Sequence, residues 1–221
     1  SMDAILNQGA PYFVAVLAYA IGNQTISQRL FAVNEKQTSK AAREEKDATV
    51  AEAMVRHKAT YQKEGMRRTV CAVLVVNQRG HPHVLLLRTS KGLFKLPGGR
   101  LKKGEGEIGG LKRKLHNKLS PVEPKLRQKE WDVGECVARW CRPSHEPFFY
   151  PYLPAHCTRP KESVAVYVSE LPAKCVFAVP KNTKLLAVPL FELYGNEQRY
   201  GALIASIPHL VSRYNLQLED E

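Results

Sequence analysis

Between Phe94 and Pro121 the chain reads FKLPGGRLKKGEGEIGGLKRKLHNKLSP, and the residues best placed to do chemistry lie within it. An apolar strand end (Leu93, Phe94, Leu96) runs into Pro97-Gly98-Gly99, where only glycine enters positive φ cheaply. From Glu105 onward Ile108, Leu111, Leu115 and Leu119 recur at helical spacing, which predicts a helix with one face turned inward. Ser120-Pro121 should end it. A glycine-rich loop feeding such a helix can present backbone N–H groups to an anion. Lys114 and Lys118 stand one turn apart and share a face. A divalent cation such as Mg²⁺ needs hard oxygen ligands, and two ammonium groups on that face would repel it. Glu105 and Glu107 are the carboxylates of the stretch, and they sit on its loop side.

This pattern resembles the Nudix box, G-x5-E-x7-R-E-U-x-E-E-x-G-U, where U is a bulky aliphatic residue. Gly99 fits, Glu105 follows after five residues, Arg113 after seven more, and Leu115 takes the aliphatic position. At the three helix positions where the family carries metal-binding glutamates stand Lys114, Asn117 and Lys118. The resemblance therefore implies a Nudix loop and helix without the metal site. No metal, no cofactor and no catalytic residue is expected.

The elements around this stretch must position it. At 221 residues the chain is one large domain, or one domain with extensions. Its net charge of +12 is unevenly spread. Lys91, Lys95, Arg100, Lys102, Lys103, Lys112, Arg113, Lys114 and Lys118 face only Glu105 and Glu107 between positions 91 and 118, a density that attracts polyanions, nucleic acid first among them. Five cysteines, Cys71, Cys136, Cys141, Cys157 and Cys175, lack CxxC spacing and follow no signal peptide, so reduced thiols in an intracellular protein are expected. Pro11 to Gly22 is apolar but too short to span a membrane, and its β-branched and aromatic content suggests a strand. Gln24 to Lys46 reads as a polar loop or insertion. A helix is predicted over Asp47 to Lys63, capped by Asp47 or Thr49 and closed by Gly65. Strands are expected at Met66 to Asn77, His83 to Arg88, Val133 to Cys141, Val164 to Leu171, Val176 to Val179 and Lys184 to Leu190. A last helix should run from Tyr200 to Tyr214, with Pro208 as a kink. The whole predicts an α/β fold, a mixed sheet sandwiched between helices.

Beyond the box, the chain from Gly65 onward resembles a non-catalytic branch of the Nudix proteins, the small subunits of pre-mRNA cleavage factor Im. The stretches that carry this are GMRRTV (65–70), PHVLLL (82–87), FKLPGG (94–99), GLKR (110–113), YPY-PAH (150–156), FAVPKN-KL (177–185), PLFELY (189–194) and Pro208 to Asn215. The resemblance implies a Nudix α/β/α sandwich with a mixed sheet, with 1–64 as an amino-terminal extension, 65–195 as a degenerate Nudix domain and 196–221 as a carboxy-terminal helical extension. It also implies a hydrolytically inactive, nuclear, homodimeric subunit of the mRNA 3′-end cleavage and polyadenylation machinery. Its partners would be pre-mRNA and a larger subunit bound through its RRM, with no membrane involved. Carried over by position, the residues that read UGUA-type RNA fall on Glu45, Gly92, Leu93, Phe94 and Leu96, and the partner-facing residues on Tyr150, Tyr152 and Leu210. Leu93 stands where the family stacks an aromatic on a base, and Ala53 where it has an arginine. Aromatic stacking contributes ~1–3 kcal/mol per base, so RNA binding is expected to be electrostatic first and sequence-selective second. For the two tyrosines, ordinary core aromatics are the competing reading. Two other functions stay open: an active Nudix hydrolase of nucleoside polyphosphates, against which the missing glutamates speak, and a pseudo-enzyme that senses dinucleotides in the old pocket.

Overall fold

The structure, a computed structural model, describes residues 25–30, 40–43, 47, 49–78, 80–127, 130–171 and 176–218. The apolar run 11–22 lies outside them, as do Glu45 and Cys175.

One strand organises the sheet. β2 (Arg67–Gln78) is an almost uninterrupted run of β-branched and aliphatic residues, buried from Val70 to Asn77. A strand buried on both faces needs no polar alternation. It pairs antiparallel with β3 (His81–Thr89) and β5 (Gly98–Arg100), and parallel with β7 (Glu162–Glu170) and with the end of β1 (Thr25–Leu30). β3 also carries β4 (Phe94–Lys95) and β8 (Thr183–Pro189), β7 carries β6 (Asp132–Arg142), and β9 (Asn215–Leu218) lies parallel to β1. The sheet is mixed, as expected.

The pleat then divides the core in two. Cys71, Val73 and Val75 of β2 point to one face, and Val70, Ala72, Leu74 and Val76 to the other, following the two-residue strand period. On the first face Tyr200, Ile204, Ile207 and Val211 of the carboxy-terminal helices close the core. On the second it is α2 (Glu107–Leu119), through Leu111, Leu115 and Leu119, together with Trp131. Sheet between two helical layers is the expected sandwich. α1 (Val50–Glu64) begins where Thr49 accepts a hydrogen bond from the N–H of Glu52 at 3.2 Å and ends at Gly65, whose φ of 76° suits glycine.

The structure departs from expectation in four places. β1 lies inside the segment read as a loop; its alternating sequence TISQRL suits an added strand. Residues 176–179 join no strand. There the N–H of Ala178 donates to the Leu119 carbonyl at 2.8 Å, so this stretch satisfies the end of α2 instead of the sheet. Ile108 is 50% exposed and does not share the packed face of α2. The residue that does is Gly110, over which the Leu101 side chain folds. The single helix expected from Tyr200 to Tyr214 is instead the end of α4 (Glu197–Tyr200), α5 (Ala202–Ala205) and α6 (Ile207–Val211), preceded by a short α3 (Leu190–Leu193). Gly201, at φ 83°, breaks the run, and Pro208 starts a new helix in its first turn instead of kinking an old one.

Candidate functional site

The box folds as a strand, a loop and a helix. Gly98 and Gly99 form β5 against Cys71 and Val70. A side chain at Gly98 would overlap the Val70 carbonyl and the Cys71 backbone, so glycine is what lets the two strands close. In the loop that follows, Glu105 accepts both Nε and a terminal nitrogen of Arg113, each at 2.6 Å, and the N–H of Lys102 at 2.8 Å. The Arg113 guanidinium, then the Lys102 N–H, hold the Glu105 carboxyl down at about 2. Glu107 is a second hub. It accepts the Arg139 fork at 2.9 and 3.0 Å, the Tyr167 hydroxyl at 2.7 Å and Arg68 at 3.3 Å. Arg139 above all keeps its carboxyl at about 2. Both carboxylates of the stretch thus tie the loop to α2, β2, β6 and β7, with their oxygens already engaged by cations.

Among the described residues the other face of α2 holds no such pairs. Lys114 lies across β5: a Cβ placed on Gly99 would stand 3.3 Å from its Cδ and 3.7 Å from its Nζ. Lys118, one turn on, is half-buried. Burial first, then the charges of Arg43, Lys95 and Lys114, bring its ammonium down to about 8. Burial also lowers Lys114, followed by Arg113 and Arg43. Asn117 is exposed and contributes its backbone, whose carbonyl accepts from Lys40 Nζ at 3.0 Å. Of the nine basic residues between 91 and 118, Arg100 pairs with Glu64, Lys112 with Glu130 at 2.9 Å and Arg113 with Glu105. Among the described residues no ion pair is formed by Lys95, Lys102, Lys103, Lys114 or Lys118.

The loop before LPGG is a tight turn. Gly92, at φ 79°, donates to the Thr89 carbonyl and Thr89 donates to the Leu93 carbonyl, both at 2.9 Å. Leu93 is left at the tip, 51% exposed. Phe94 turns its ring onto Tyr200 (centroids 4.6 Å apart), with the Arg88 and Arg199 guanidinium groups 5.8 and 5.9 Å from its centre. Leu96 is buried in the core. The turn therefore presents Leu93 outward, while Phe94 and Leu96 hold it down. Ala53 sits half-buried on α1, and Glu45 lies outside the described residues.

Tyr150 and Tyr152 are not core residues. Tyr150 is half-buried and bridged through its backbone to Cys141, with hydrogen bonds of 2.7 and 2.8 Å. Tyr152 is 40% exposed, and the two rings lie 6.0 Å apart. Phe148 and Leu153 beside them are exposed as well. Leu210, on α6, is half-buried and packs against the core on the carboxy-terminal side.

Arg43 is not among the residues the sequence singles out. The N–H of Arg43 donates to Asn182 Oδ1 at 3.0 Å, and its carbonyl accepts from Asn182 Nδ2 at 2.6 Å. That clamp spans most of the chain and leaves no local signal. Lys95 was counted within the basic stretch, but alternation along β4 is too short to show where it lies.

Residues 29–214 match the NUDIX_2 family, described as nucleotide hydrolase. The chain is 53% identical over 174 residues to pre-mRNA cleavage factor Im 25 kDa subunit 2 of Arabidopsis thaliana, covering 79% of this chain and 86% of that protein. It is 48% identical over 175 residues to cleavage and polyadenylation specificity factor subunit 5 of Dictyostelium discoideum, covering 79% and 87%. With pre-mRNA cleavage factor Im 25 kDa subunit 1 of Arabidopsis thaliana it shares 45% identity over 180 residues, 81% of each.

Proposed function

The chain belongs to the NUDIX_2 family, and from that premise we propose that it is a non-catalytic subunit of a pre-mRNA cleavage and polyadenylation factor. It works in the nucleus as a homodimer, holding pre-mRNA and a larger RRM-containing subunit. The observation that carries this reading is the chemistry of the box. Glu105 and Glu107 are consumed by Arg113, Arg139, Arg68 and Tyr167. Lys114, Asn117 and Lys118 occupy the positions from which the family holds its cation. A Lewis-acid ion cannot act where it does not bind. The same residues leave a face of unneutralised lysines, which suits a phosphate backbone.

Base reading is weak in this proposal. Leu93 at the tip offers no ring to stack on a base, and Phe94 is engaged with Tyr200. Binding is therefore driven by counterion release and falls steeply with salt.

The test compares a UGUA-containing oligonucleotide with a scrambled one across a salt series, and assays dinucleoside polyphosphate turnover with Mg²⁺ or Mn²⁺ on the same preparation. Steep salt dependence, little discrimination and no turnover above a no-protein control are expected. Tight discrimination at near-physiological salt would overturn the charge-first reading. Turnover would overturn the non-catalytic one.

A further inference from the structure

α1 meets the turn that follows β6 through two histidines. His57 is the buried residue of α1, only 3% exposed, and among the described residues neither of its ring nitrogens has a hydrogen-bond partner. His145 stands edge-on to it with 5.5 Å between ring centroids, and its Nδ1 is likewise buried and unpartnered. Tyr61, one turn further along α1, makes an edge contact with the same His145 ring, again at 5.5 Å. Charged groups surround the pair. Arg142 of β6 donates to Glu162 Oε2 at 3.3 Å and to the Glu146 carbonyl, and Arg67 of β2 lies 3.2 Å from Glu162 Oε1. Lys161 holds its Nζ 4.4 Å from the centre of the Tyr61 ring. Glu162, Arg67, Arg142 and His145 act on His57, and Lys161, Lys58 and Arg142 act on His145. Glu162 is the single carboxylate in either set, and it is already shared by Arg67, Arg142 and the Thr69 hydroxyl.

Two neutral imidazoles can pack here as rings. A proton on His57 would instead put a cation into a buried site beside Arg67, Arg142 and His145, where the one carboxylate is taken. The strain is relieved if the turn carrying His145 moves away. Residues 146–148 of that turn are exposed, and its far end is pinned where Tyr150 bridges Cys141. We propose that His57 and His145 form a proton-operated latch: when neutral, the two rings hold the turn 143–149 against α1, and protonation in mild acid releases the turn while the sheet stays folded. The latch goes beyond the proposed function and does not depend on how the box is read. Its sign follows from the surroundings. Burial first, and then Arg67, Arg142 and His145 against Glu162, holds the His57 imidazole below its ordinary value. Burial, then Lys161, Lys58 and Arg142, does the same for His145. A released ring therefore takes up a proton before a packed one does, and the latch weakens as pH falls through about 6.5.

Hydrogen–deuterium exchange on the full chain at pH 7.5 and pH 5.5, expressed as protection over the intrinsic rate at each pH, tests the latch. Protection of the turn 143–149 should fall about tenfold at pH 5.5, the ratio expected when one imidazole is held neutral a full unit below its ordinary pKa. The double variant His57→Leu with His145→Phe replaces both imidazoles by apolar side chains and should lose this response, with thermal melts at pH 7.5 confirming its fold. Protection of the turn that does not change with pH would overturn the latch. So would an equal fall in the double variant, or exchange of the turn and β2 together in one cooperative step, which is ordinary unfolding. Should the double variant not fold, ring-proton NMR of the parent decides the matter. His57 and His145 are expected to titrate below the ordinary histidine value, and the amides of 143–149 to shift with the same midpoint. Titration of both rings at the ordinary value, or turn amides that do not follow them, would overturn the latch.

Discussion

Lys118→Met should make the unliganded protein more stable at neutral pH, although it removes a native side chain from the middle of the site. In the folded chain burial, and then Arg43, Lys95 and Lys114, lower the ammonium from 10.5 to about 8. At 1.36 kcal/mol per unit, that depression corresponds to an upper bound of about 3.4 kcal/mol of destabilisation at pH 7. Lys118 is only half-buried, and water screens part of the repulsion. A gain of about 1–2 kcal/mol is the expected size, or roughly 2–8 °C in melting temperature for a domain of this size. Methionine keeps the length and flexibility of the stem, so packing changes little.

The sign with pH follows from the protons bound. Between about 8 and 10.5 the unfolded chain holds the Lys118 proton and the folded chain has released it. Stability of the parent protein therefore rises with pH across this window. The penalty is full below pH 8 and fades toward 10.5, so the advantage of Lys118→Met should shrink to about a quarter by pH 10. Urea denaturation of parent and variant at pH 7 and pH 10 reads this, in a buffer free of phosphate so that the site stays unliganded. A variant no more stable than the parent at pH 7 would refute the reasoning. So would an advantage that persists undiminished at pH 10.

Two adjacent glycines in α2 should respond in opposite directions. Gly109→Ala has nothing within 4 Å of the new Cβ and should stabilise by about 0.5–1 kcal/mol, while Gly110→Ala runs into the Leu101 side chain and comes within 3.1 Å of Glu105 Cδ, and should cost about 1–3 kcal/mol. Equal effects in chemical denaturation would show that the strap over Gly110 is not tight. If the proposed docking role holds, the double variant Tyr150→Ala with Tyr152→Ala should melt near the parent temperature and keep the parent's size by light scattering, yet lose retention of the proposed RRM-containing partner. Undiminished retention would remove these tyrosines from the docking surface.

How much of this was legible depended on the range of the interactions. The continuous apolar run of β2 and the apolar spacing of Leu111, Leu115 and Leu119 are local signals, and both mark real core faces. Spacing alone could not place Ile108, because the inward position it suggested is served by Gly110 under Leu101, a contact from outside the helix. Apolar periodicity from Tyr200 to Tyr214 is genuine, since Ile204, Ile207 and Val211 are buried. It nevertheless spans three elements, because the backbone at Gly201 turns left-handed and a proline restarts the helix. Residues 176–179 had strand composition but found their hydrogen-bond partner in α2. In the site, Lys114 and Lys118 were visible from helical spacing, whereas Arg43 enters only through its clamp to Asn182. Long-range hydrogen bonds of that kind leave no pattern in a single sequence.

The two box residues present here, Glu105 and Arg113, have a structural role. Glu105 and Arg113 bind each other through two hydrogen bonds, and Glu105 also holds the Lys102 N–H. That arrangement fixes the loop between β5 and α2 whether or not a metal is present. Keeping Glu105 and Arg113 is therefore a requirement of the fold. The positions that differ from the box, 114, 117 and 118, have no such duty toward the loop. Lys114 lies along Gly99, Asn117 is exposed, and Lys118 faces other cations. Neutral residues at 114 and 118 would have been enough to remove a metal, with less repulsion to hold in place. On the proposed reading, lysines at both give this helix face a positive charge that suits a phosphate backbone.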